Sequence, residues 1–69
     1  MKISARNAIK RRVVDVRKGA VMASVTLDIG GGQKVTAAIL LESVEDLGIK
    51  AGDEAMAVIK ATEVMIAKP

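Results

Sequence analysis

The chain contains neither cysteine nor histidine, which removes most of the chemistry that small proteins perform with side chains. Without imidazole or thiol, the usual general bases, nucleophile–base pairs and zinc sites are missing. Asp15, Asp28, Glu42 and Glu45 fall where solvated positions are expected. No two carboxylates form an evident pair, and no EF-hand spacing occurs. No enzymatic activity is expected. What remains is a set of donors. Ser4 offers a hydroxyl, Arg6 and Lys60 carry permanent charge, and the peptide N–H groups of Ala5 and Arg6 add fixed donors in an extended or nest-like segment. A dianionic tetrahedral oxyanion is best held by many donors and no acceptors.

A second group of cations, Lys10-Arg11-Arg12 with Arg17-Lys18, is placed to touch phosphates. Binding of single-stranded nucleic acid usually adds aromatic stacking to such a surface. The chain has no Phe, Trp or Tyr, and its net charge is only +3. A solvated strand face is the plainer reading of these charges. A small basic nucleic-acid-binding protein is retained as the alternative function.

The elements that would position these groups are mostly strands. From Ala20 to Ile29, Val21, Ala23, Val25, Leu27 and Ile29 alternate with Met22, Ser24, Thr26 and Asp28, a two-residue period. Gly30-Gly31-Gly32-Gln33 supplies a turn, and Val35, Ala37 and Ile39 continue the alternation, which predicts a hairpin. A phosphate loop is not indicated, because the Lys-Ser/Thr ending and the following helix are both missing. Residues 9–16 predict an earlier strand whose phase slips between Val13 and Val14, as a bulge would produce. Ser43 as N-cap, Glu45 and Asp46 in the first turn and Gly48 at C′ predict a short helix, with Val44 and Leu47 facing inward. Two further strands are expected at 54–60 and 63–67. The fold class expected is all-β: a five-stranded barrel of the oligonucleotide/oligosaccharide-binding (OB) type, with one short helix between strands 3 and 4. Closure of that barrel would bring residues 4–7 and Lys60 together.

Residues 1–69 are expected to form a single domain, close to the size at which one core sustains a fold unaided. Half of the residues are hydrophobic (51%), none of them aromatic, and so small a body cannot hide that much apolar surface. Both faces of Ala55-Met56-Ala57-Val58-Ile59 are apolar. With disulfides and zinc sites excluded, association is the remaining way to stabilise the chain, so a homo-oligomer is expected. No stretch reads as a signal peptide or a membrane span, and a cytoplasmic location without membrane contact follows by default.

These residues carry a resemblance. Met1-Lys2-Ile3-Ser4-Ala5-Arg6-Asn7 is similar to the opening of the molbindins, the small molybdenum-pterin-binding (Mop) proteins. The similarity continues through Lys18-Gly19-Ala20-Val21-Met22-Ala23, Ser43-Val44-Glu45-Asp46-Leu47-Gly48 and Val58-Ile59-Lys60-Ala61-Thr62-Glu63, essentially the whole chain. The resemblance implies an OB-type barrel, a homo-hexamer built as a trimer of dimers, and molybdate or tungstate held between subunits for storage and buffering. It implies an oxyanion site formed by Ser4, Ala5, Arg6, Lys60 and Ala61, with Ser43 supplied by a neighbouring subunit and no direct cation ligands. Some relatives carry a hydroxyl residue at the positions of Leu40 and Ala61. A second oxyanion site around residues 19–22 is also implied. Neither a helix-turn-helix nor a Walker motif accompanies the domain, as a free-standing binder would have it.

Overall fold

The structure, a computed structural model, describes residues 2–69. Met1, the first residue of the motif above, lies outside the described residues. Four strands form one antiparallel sheet among these residues: β1 (Asn7–Lys18), β2 (Met22–Gly30), β3 (Gln33–Leu40) and β4 (Glu54–Ile59), in the order β3-β2-β1-β4. One helix, α1 (Leu41–Leu47), joins β3 to β4.

β1 is longer than expected because it serves two partners in succession. Its first half pairs with β4, from Asn7↔Ile59 to Arg12↔Glu54, and its second half pairs with β2, from Arg12↔Asp28 to Lys18↔Ala23. The register slips between Val13 and Asp15, which is the bulge that the change of parity requires. At that point the backbone of Val13 turns to the loop before β4: its N–H donates to the Asp53 carbonyl and its carbonyl accepts from Gly52 N–H, both at 2.8 Å. The bulge thus coils the sheet without leaving these polar groups unpaired.

The hairpin is as predicted. Gly31 and Gly32 form its two-residue loop with φ of 64° and 77°, the left-handed pair that matches strand twist and that glycine adopts at little cost. The alternating face packs in part as expected: Ala23, Val25 and Leu27 are buried with Val13 and Val44 to form the core, Ile29 is half-buried, and Val21, just before β2, is 67% exposed.

Helix α1 begins three residues before the expected site. Ser43 is not its N-cap; Leu40 is, with no side-chain cap, since β3 runs directly into the helix. Leu41 N–H instead donates to the Val21 carbonyl at 2.8 Å, so a strand satisfies one donor of the first turn. The C-terminal end matches expectation. Gly48 is left-handed (φ 66°), Gly48 N–H donates to Glu45 O and Ile49 N–H to Val44 O, both at 3.1 Å, a Schellman pair. Val44 is 1% exposed and plugs the core. Leu47, also expected to face inward, is 71% exposed, because a helix this short offers the core only one deep position.

The fifth strand expected at 63–67 is not present. A 3-10 turn, Ala61–Glu63, closes with Glu63 N–H donating to Lys60 O at 2.9 Å, and no strand follows. The chain after it meets no free edge of its own sheet, and Met65 and Ile66 stand 93% and 91% exposed. The architecture is therefore an open, curled four-stranded sheet with a helix, a half-barrel where a closed five-stranded barrel was expected. An apolar groove of about 490 Å³ opens along β3 and β4, lined by residues that include Leu27, Val35, Ile39, Leu47, Ile49 and Ala57.

Candidate functional site

The pairing of β1 with β4 decides where the candidate donors lie. Asn7↔Ile59 is the last pair of that ladder. Ser4, Ala5 and Arg6 lead into it from one side, and Lys60 and Ala61 leave it from the other. Two segments more than fifty positions apart in sequence therefore flank one end of the sheet, and the ladder ends with a side-chain bond: Asn7 Nδ2 donates to the Ile59 carbonyl at 3.3 Å, across 52 residues. Ser4, Arg6, Lys60 and Ala61 are exposed and Ala5 is half-buried. Asn7, the last residue of the Ser4–Asn7 segment singled out in the sequence, is half-buried at the junction of the two segments. No spacing in the sequence signals that bond.

Among the described residues the ion pairs are Lys10–Glu54 at 3.0 Å and Arg17–Asp15 at 2.9 Å; neither Arg6 nor Lys60 takes part in one. Hydroxyl, guanidinium and ammonium groups with flanking peptide N–H groups form a donor set suited to an oxyanion. No group of three or more His, Cys, Asp or Glu residues is placed to hold a metal cation among the described residues.

Ser43 lies elsewhere in its own chain. It follows β3, whose last residue, Leu40, pairs with Met22 at the end of the sheet where Lys18 pairs with Ala23. That end is separated from Asn7 by the length of β1, twelve residues and so roughly 30 Å or more along a strand. Ser43 is half-buried in α1. Residues 19–22 lie at the same end, where Gly19 N–H donates to Met22 O at 2.8 Å and a Cβ on Gly19 would stand 2.9 Å from that oxygen. The adjoining hollow of about 280 Å³ is lined by Ala20, Val21, Leu40, Leu41, Glu42 and Glu45, with no cation among them.

Three of the five residues in the other cationic group, Lys10, Arg12 and Arg17, lie beside carboxylates. Cross-strand pairing sets Lys34, Asp28, Arg12 and Glu54 in one row across β3, β2, β1 and β4, a row of alternating sign. Lys10 and Arg17 are engaged in the two ion pairs already given. This is the arrangement of a solvated sheet face and gives no continuous track for a nucleic-acid backbone.

Comparison with known proteins defines the class first. The family model described as TOBE domain matches residues 3–66. Molybdenum-pterin-binding protein 3 of Clostridium pasteurianum is 61% identical over 66 residues, covering 96% of this chain and 97% of that protein. The structure of a molybdate-binding protein from Sporomusa ovata superposes with a TM-score of 0.91 at 43% identity, covering 99% of this chain and all of that one. ModG, described as a cytoplasmic molybdate-binding protein and solved with molybdate bound, superposes with a TM-score of 0.83 at 44% identity, over 88% of this chain and 43% of its own. The chain belongs to the TOBE-domain family, within the molybdenum-pterin-binding (Mop) proteins known as molbindins. These relatives are described as binding proteins. No helix among the described residues is long and apolar enough to cross a membrane.

Proposed function

We propose that this chain, as a single Mop-type domain, binds molybdate or tungstate reversibly in the cytoplasm and so stores and buffers the oxyanion. One observation carries the reading: the terminal pair Asn7↔Ile59 sets the Ser4–Ala5–Arg6 segment beside Lys60 and Ala61, with neither cation in an ion pair. Ser4, Ala5, Arg6, Lys60 and Ala61 form one part of the site. Ser43, remote in its own chain, joins it from a neighbouring subunit, so the site lies at an interface. Molybdate is a full dianion near neutrality, whereas phosphate largely keeps a proton that a donor-only pocket leaves without an acceptor. Sulfate is distinguished by size.

The assembly proposed is a homo-hexamer, a trimer of dimers. The open apolar groove and the exposed Met65 and Ile66 support association, since uncovered apolar surface of this extent marks interfaces. Ligand that binds only the assembled form then stabilises it by linkage. Calorimetry with molybdate, tungstate and sulfate on one preparation, alongside native mass measurement, tests the proposal. Binding of the first two, much weaker binding of sulfate and an assembled mass are expected. Equal affinity for sulfate, or no binding by an assembled preparation, overturns it.

A further inference from the structure

We infer that Asn7 is a positioning residue for the oxyanion site: its carboxamide clamps the two halves of that site to one another. The inference rests on the oxyanion reading above and adds a residue that does not itself touch the anion. Ser4, Ala5 and Arg6 lie outside the ladder, and Lys60 and Ala61 leave it on the other strand. Segments of this kind fray, because no backbone bonds hold them to a neighbour. The last point at which the two are tied is Asn7↔Ile59. There the side chain adds a bond to the backbone pairing, Asn7 Nδ2 donating to Ile59 O at 3.3 Å. Arg6 is the residue before this clamp and Lys60 the residue after it, so the clamp fixes the separation of the two cations. Donors held at a set separation lose less freedom when the anion arrives, which raises affinity without a new contact.

The residue type is specific to the task. Leucine matches the size of asparagine but cannot donate. Aspartate matches its shape, but presents an oxygen to the Ile59 carbonyl and puts a negative charge beside the anion. Asn7→Leu is expected to weaken molybdate binding about five- to tenfold, the scale of one net hydrogen bond, and Asn7→Asp to weaken it further. Hydrogen exchange should rise at residues 2–6 and 60–61 while exchange of the core amides in β2 stays slow.

A covalent substitute separates positioning from general stability. Asn7 and Ile59 are directly opposed, Cα atoms of such pairs lie about 4.5–5.5 Å apart, and that range suits a disulfide. The chain has no other cysteine, so the double variant Asn7→Cys/Ile59→Cys can form only this bond within one chain. Calorimetry with molybdate on the oxidised and reduced forms, at the same assembled mass, is the test. Oxidation restoring affinity towards that of the unmodified protein, with the reduced form as weak as Asn7→Leu, supports the clamp. Unchanged affinity in Asn7→Leu, or equally weak binding by both redox forms, overturns it. Absence of molybdate binding by the unmodified protein would instead remove the oxyanion reading itself.

Discussion

Removal of the chain after the 3-10 turn tests the link between the open groove and assembly. Met65 and Ile66 are 93% and 91% exposed, while the groove along β3 and β4 is lined almost wholly by aliphatic side chains. Full burial of a side chain of this size is worth about 1.5–3 kcal/mol. A pair of subunits that cover each other's arms buries four such side chains, a gross gain of roughly 6–12 kcal/mol. Ordering each of the four at the interface costs about 0.5–1.5 kcal/mol, which leaves about 5 kcal/mol at the midpoints of the two ranges. Truncation after Val64 is therefore expected to raise the dissociation constant of the pair about a thousandfold or more. Sedimentation equilibrium over a dilution series reads this directly, with Met65→Asp/Ile66→Asp as a full-length counterpart. A truncated chain that keeps its assembled mass at the same dilution would refute the link. Assembly would then rest on another surface.

Three further outcomes are expected. Arg6→Ala and Lys60→Ala should each weaken molybdate binding by about 1.5–3 kcal/mol, the range for a hydrogen bond to a charged group; calorimetry showing unchanged affinity in both would place the anion elsewhere. Val44→Ala empties the most deeply placed helix position, 1% exposed, and should cost about 2 kcal/mol in urea unfolding, with a loss below 0.5 kcal/mol contradicting its role as the core plug. Gel shift with single- and double-stranded oligonucleotides should remain blank even at low salt, because the row from Lys34 to Glu54 alternates in sign; a salt-steep shift would revive the nucleic-acid alternative.

Much of the sheet was legible because its signals are local. The alternation in β2 and β3, the glycine turn and the parity slip in β1 each lie within a few residues, and each has its counterpart in the structure. Gly48 was legible for the same reason, as a left-handed residue after a short helix. The start of α1 was not, because its donor is satisfied by the Val21 carbonyl on another strand, which removes the need for a capping side chain at Ser43. Residues 63–67 have a strand's composition, but a strand also needs a free edge, and edges are a property of the whole fold. The candidate site divides along the same line. Ser4, Arg6 and Lys60 could be named as donors from their types, and their common location follows from a register spanning 52 residues. The pairing of β1, β2 and β3 places Ser43 at the far end, and Asn7, legible only as part of the Ser4–Asn7 segment, gains its bond to Ile59 in the fold.

The five buried core residues among those described, none larger than leucine, carry a consequence for how such a protein behaves in a cell. So thin a core leaves little reserve in the isolated chain, and under the proposed assembly the rest of its stability would come from mass action between copies. Copy number then acts as a folding variable. In the proposed assembly, chains at low abundance would fall below the concentration that sustains it, and sites shared between subunits would vanish together instead of emptying one by one. Capacity to hold the ligand would rise more steeply than protein concentration near that threshold, giving the buffer an onset set by expression level as well as by affinity.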